Sequence, residues 1–181
     1  MPFNIGLSGT YRTSAFQPAF RFTAPKLAFP FQSEVDDPSF LPLGSSGVQA
    51  LLFDRPAQVV DPKSNKAVGL PKDLAAWLRS NPRLRVLSTS HTTVGGKPGT
   101  QIDTMVKSVV AGACDQPCLP IAPLPSGSDV LGYLKGEKVR FILVNLPDGP
   151  LLASIEAYPP DFPVFAPAAE QVLHSIHFLK S

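Results

Sequence analysis

Any chemistry in this chain must come from few groups: three histidines, two cysteines and 14 acidic residues among 181. Cys114 and Cys118 stand four apart in Gly112-Ala113-Cys114-Asp115-Gln116-Pro117-Cys118, where Gly and Pro read as a turn. A local disulfide closing that turn would fit an oxidising compartment. Two free thiols, or a metal or redox pair, are the other readings. The three-residue spacer departs from the two-residue spacer of redox motifs and zinc knuckles. His174 and His177 straddle the expected end of a helix, so they need not share a face. His174 reads as a solvated helix-end cation and His177 as a packed strand residue. No metal and no cofactor is expected, because no recognised ligand spacing is present.

Acid–base chemistry falls to His91, Asp103 and Glu156. Asp103 and Glu156 lie on expected hairpin arms, where an inward carboxyl has a raised pKa and can move protons. Alternation more simply places both on a solvated sheet face. The adjacent Asp36 and Asp37 point to opposite sides of an extended chain and make a poor dyad. A serine hydrolase lacks its Gly-x-Ser-x-Gly elbow here, since Gly44-Ser45-Ser46-Gly47 is only a turn. Gly95-Gly96-Lys97-Pro98-Gly99 lacks the Gly-Lys-Ser/Thr ending of a phosphate loop and reads as a hairpin connection.

Composition narrows the field further. The 21 prolines exclude a helical bundle, because an interior proline removes a donor and costs a helix about 3 kcal/mol. A formal charge of +2, with basic residues spread along the chain, gives no field for nucleic acid. The compact apolar run Phe141-Ile142-Leu143-Val144 is far short of the ~20 residues of a membrane span. Met1 to Gly6 lack the features of a secretory leader, so the chain is expected to be cytosolic or to have had a leader removed. One domain over residues 1–181, ordered from about residue 9 to 179, accommodates the length.

The elements that must hold these groups follow from periodicity and punctuation. Phe16, Phe20 and Phe22 share one parity, as a core layer on two opening strands would, around Gly9 to Phe16 and Ala19 to Ala24. An aromatic ligand cleft is the sharper reading, with Phe29, Phe31 and Trp77 as ligand-binding candidates. Val48 to Phe53 reads as a strand and Asp61 to Gly69 as a polar loop. A helix begins at Pro71, buries Leu74, Trp77 and Leu78, and stops before Pro82. Leu84 to Thr89 and Gly99 to Val110 form one antiparallel hairpin; Lys138 to Leu146 and Leu151 to Tyr158 form another around Asp148-Gly149. Phe141 to Val144 is apolar on both faces and belongs mid-sheet, covered on both sides. A last helix starts near Ala166, buries Val172, Leu173 and Ile176, and leads to a short strand at His177-Phe178-Leu179.

This order of signals resembles the Mog/PsbP fold as found in small secreted or lipid-anchored bacterial domains. The residues that carry the likeness are the Leu74-Ala75-Ala76-Trp77-Leu78 helix, the Gly95 to Gly99 hairpin and the closing Val172-Leu173-His174-Ser175-Ile176-His177-Phe178. The resemblance covers most of Gly9 to Leu179. It implies an α+β fold in which an antiparallel sheet is sandwiched between helices, an α/β/α sandwich. It also implies an export leader and a cysteine pair, which Cys114 and Cys118 would match, and hence an extracytoplasmic location. PsbP members assist the oxygen-evolving complex and Mog members bind the Ran GTPase, but no binding residue of either maps onto this chain. The expectation is a non-catalytic extracytoplasmic accessory domain that binds a partner protein or an apolar small ligand. The alternative is a small cofactor-free enzyme of cyclase or isomerase type, working through His91, Asp103 or Glu156 in a sheet-lined pocket.

Overall fold

The computed structural model describes residues 8–26, 37–44, 48–125, 127 and 129–179. In chain order they form β1 (Gly9–Arg12), β2 (Phe20–Ala24), β3 (Phe40–Gly44), β4 (Ala50–Asp54), β5 (Gln58–Val60), β6 (Ala67–Gly69) and α1 (Leu74–Ser80). There follow β7 (Leu84–Val94), β8 (Lys97–Val106), β9 (Leu119–Pro123), β10 (Val130–Tyr133), β11 (Lys138–Leu146), β12 (Gly149–Ala157), α2 (Phe162–His174) and β13 (His177–Phe178).

A six-stranded antiparallel sheet in the order β3-β4-β12-β11-β8-β7 organises the molecule. Its middle strand, β11, is apolar in both parities, so it must be covered on both sides. Ile142 and Val144 join Leu51, Phe53 and Ile155 on the face covered by α2 and by the small β1-β2-β13 sheet. Phe141 and Leu143 join Leu52, Ile102 and Leu152 on the other face, under Leu74 and Leu78 of α1 and under Leu119, Ile121, Leu131 and Tyr133 of the β9–β10 pair. The fold is therefore α+β. Phe16, Phe20 and Phe22 do form a core layer: all three are buried, and Phe20 packs edge-on to Phe16 at 5.6 Å and against Phe53 at 5.1 Å between ring centroids.

Several boundaries differ from the sequence reading, each for a local reason. The α1 helix starts at Leu74 and not at Pro71, because Asp73 is the N-cap and its Oδ1 accepts the Ala76 amide at 2.8 Å. It ends at Asn81, whose extended backbone is what a following proline requires. The β7 and β8 strands run on to Val94 and from Lys97, since Gly95 and Gly96 both take positive φ and turn the chain in two residues. Similarly, Pro147 and Asp148 make the β11–β12 turn, and Gly149, at φ 120°, already pairs with Leu146. The α2 helix starts four residues earlier than Ala166, at Phe162. Pro163 sits in its first turn, and Pro167 is tolerated inside because both prolines lie on the exposed side, where water can take the unpaired Pro163 carbonyl. The Asp61 to Gly69 stretch is not all loop, since β5 and β6 pair around it.

Candidate binding pocket behind the disulfide

Alternation along β12 puts Ala153 and Ile155 on the α2 face and leaves Ser154 and Glu156 on the opposite face with Leu152. There the β9–β10 pair lies over them. Tyr133, fully buried at the end of β10, donates its hydroxyl to Ser154 Oγ at 2.8 Å. The turn that follows returns the chain as Glu137, which is 2% exposed, and Glu137 Oε2 accepts the Leu134 amide at 2.7 Å.

Cys114 and Cys118 are joined in a disulfide. Cys118 exchanges both backbone hydrogen bonds with Val110, at 2.8 and 3.1 Å, which ties the small loop to the segment that follows β8. The disulfide rests on Gly132 of β10, where a Cβ would stand 2.6 Å from Cys114 Sγ and 2.9 Å from Cys118 Sγ. Only glycine leaves that space. Between the disulfide and the sheet lies a cavity of about 370 Å³. Glu137 and Glu156 line it with the apolar side chains of Val130 and Leu134, and the exposed Asp115 and Asp129 complete its acidic character. Among the described residues, no basic side chain lines it.

Burial sets the protonation of this region. It raises Glu137 to about 7 against a partial offset from the Leu134 amide. Burial, then the charge of Glu137, holds Glu156 well above the usual carboxylate range. The Tyr133 hydroxyl is pushed up by burial and by Glu156, while its bond to Ser154 opposes the shift. Asp54, on the same face of the sheet as Leu52, is raised by burial to about 7 against one backbone hydrogen bond from Arg55. Burial thus favours the protonated form of Glu156, a form that can both donate and accept a hydrogen bond.

The three acid–base candidates are not brought together. Glu156 lies in this cavity and not on a solvated face. Asp103, on the opposite face of the sheet, is held by Arg140, whose Nε lies 2.6 Å and Nη2 2.9 Å from its two oxygens, and by Ser88 at 3.2 Å. Burial alone would raise Asp103, but the Arg140 hydrogen bonds and charge outweigh it and keep the carboxyl below its ordinary value. Arg140 also bonds Glu170 of α2 and stands over the Phe162 ring, so Asp103 belongs to a clamp between sheet and helix. His91 is exposed on β7 and lines a different cavity. Trp77 is half-buried against the core beneath α1. Phe29 and Phe31 lie outside the described residues. Sequence reasoning missed Glu137, Tyr133, Ser154 and Asp54. The one available signal was the mixed Leu152-Ser154-Glu156 face of a strand whose other face is wholly apolar. Among the described residues no group of three or more His, Cys, Asp or Glu is placed to hold a metal ion, and no helix is long and apolar enough to cross a membrane.

No protein-family model matches the chain, and no curated protein sequence matches it. Two solved structures are similar to it over nearly the whole length. A protein of unknown function from Pseudomonas aeruginosa, described as a candidate regulator, shares 11% identity over 97% of this chain and 100% of its own, with a TM-score of 0.45. The PsbP protein of the cyanobacterium Synechocystis shares 8% identity over 98% of this chain and 96% of its own, with a TM-score of 0.46.

Proposed function

We propose that this chain is an extracytoplasmic accessory domain of the α/β/α PsbP-like type. It binds, without catalysis, a small and largely apolar ligand in the cavity behind the Cys114–Cys118 disulfide. The observation that carries this reading is the cavity itself: about 370 Å³ of space against Val130 and Leu134, with the Glu156 carboxyl facing it and making no hydrogen bond to another described residue. That volume suits a small molecule, and a carboxyl against the apolar wall of Val130 and Leu134 selects for a ligand with one hydrogen-bonding end. A disulfide over the site is compatible with an oxidising compartment.

A second reading, the cofactor-free cyclase or isomerase, is favoured by one feature: Glu137 and Glu156 share the cavity wall and interact through their charges. The two readings separate by ligand-observed NMR with neutral apolar amides and lactams as probes. Binding is expected in the wild type and is lost in Val130→Trp, which fills the cavity while keeping its melting temperature. Glu156→Gln keeps a hydrogen-bonding end and is expected to bind within about threefold of wild type, under 1 kcal/mol. Probes that bind Val130→Trp as well as wild type contradict the pocket. A probe chemically converted by wild type but not by Glu156→Gln moves the assignment to the enzyme.

A further inference from the structure

The same face of the sheet carries a second cavity at its other end. Glu137 immediately precedes β11 and Asn145 is its penultimate residue, eight positions further along extended chain, so the two sites are roughly 25 Å apart. This second cavity, of about 570 Å³, exists because α1 is only seven residues long. Leu74 and Leu78 cover the core beside Ile102, but the helix does not reach the hairpin ends of β7, β8 and β11. The sequence turns polar there. On this face β8 passes from Ile102 to Thr100 and β11 from Leu143 to Asn145, and His91 of β7 pairs directly with Thr100.

The floor therefore presents His91, Thr100 and Asn145, and the wall at α1 presents Lys72 and Arg79. Among the described residues, neither Lys72, Arg79 nor the His91 side chain has an ion-pair or hydrogen-bond partner. Asp73, the one carboxylate among the described lining residues, is occupied as the α1 cap. No aromatic ring is among the described lining residues either, so none of them stacks on a base or an apolar ring. Charge is thus segregated along one sheet face, with carboxyls lining the cavity at one end and Lys72 and Arg79 lining the cavity at the other.

We propose that the Lys72–Arg79–His91 groove binds a compact polyanion, a phosphate ester or a polycarboxylate, separately from the pocket behind the disulfide. Arginine and lysine supply the charge-assisted hydrogen bonds, and Thr100 and Asn145 fix the orientation of the bound oxygens. Pyrophosphate and citrate are the probes, titrated at low salt against amide NMR signals of the full chain. The expected result is a saturable shift at His91, Thr100 and Asn145, weakening as salt is added. The double variant Lys72→Gln/Arg79→Gln is expected to weaken binding by at least about tenfold, as the loss of two charged hydrogen bonds requires. Lys63→Gln/Lys66→Gln, which removes the same charge from an exposed turn, should leave it unchanged. No saturable shift at those three residues overturns the proposal, as does equal weakening by both double variants, which marks diffuse charge attraction. Binding to phosphatidylglycerol vesicles without any response to pyrophosphate or citrate also overturns it, in favour of a lipid surface.

Discussion

Asp54 is a buried carboxyl, 2% exposed, with Oδ2 lacking any hydrogen-bond partner among the described residues, and its effect on stability depends on pH. Below its ordinary value of 3.8 the group is protonated in folded and unfolded chain alike and costs nothing. As pH rises from there to about 7 the unfolded chain releases the proton while the folded one keeps it, so stability falls by about 1.4 kcal/mol per pH unit. Above that range the loss stays constant, on the order of 4 kcal/mol. Asp54→Asn is therefore expected to raise the melting temperature at pH 8 and to leave it nearly unchanged at pH 3.5; an equal shift at both pH values in calorimetry contradicts this account of the group. Glu137, raised from 4.5 to about 7, acts in the same direction, so the variant retains part of the slope. At this scale the sequence showed Glu156 as an acid–base candidate but not Glu137, Asp54 or Tyr133. Their burial is decided by what lies over them, and nothing in the types of these residues announces it.

That covering element is the β9–β10 pair with its disulfide loop, and it was the part of the fold least legible beforehand. Pro117, Pro120, Pro123 and Pro125 interrupt every periodic run in the stretch, and strands of five and four residues are too short to declare themselves. By contrast, the β11–β12 arms and the end of α1 at Pro82 were readable, because continuous apolar sequence, a Pro-Asp-Gly turn and a pre-proline residue each have one physical interpretation. The start of α2 was misplaced because exposure, which makes its two prolines tolerable, is a tertiary fact. The disulfide fastens the covering element: it closes a loop with a sequence separation of four and sits against Gly132 with no room for a Cβ. Cys114→Ser/Cys118→Ser is expected to lower stability by about 2 kcal/mol from loop entropy alone. Amide exchange should also rise at Val130 to Tyr133 while the β11 amides stay protected, because β10 is the strand the disulfide holds. Urea melts and hydrogen exchange report both, and uniform loosening of the whole sheet would mean that the loop is not a separable cover.

Across the whole molecule, a single antiparallel sheet does two jobs on one face. Its apolar middle is core, buried under α1 and β9–β10, while the two ends of that face, where the covers stop, open into cavities of opposite charge. The other face is covered by α2 and the β1-β2-β13 sheet, with Arg140 bonding both Asp103 and Glu170 across it. The two proposed sites accordingly lie at the edges of the covering elements, away from Phe16, Phe20 and Phe53, whose rings pack on one another. The most direct measurement of this assignment is an amide chemical-shift map of the full chain with a neutral lactam or amide fragment that binds it. The account predicts shifts concentrated at Cys118, Gly132, Leu134 and Glu137, with His91 and Thr100 unmoved. Shifts centred instead on β1 and β2, or on the α1 groove, with the disulfide region silent, would contradict it.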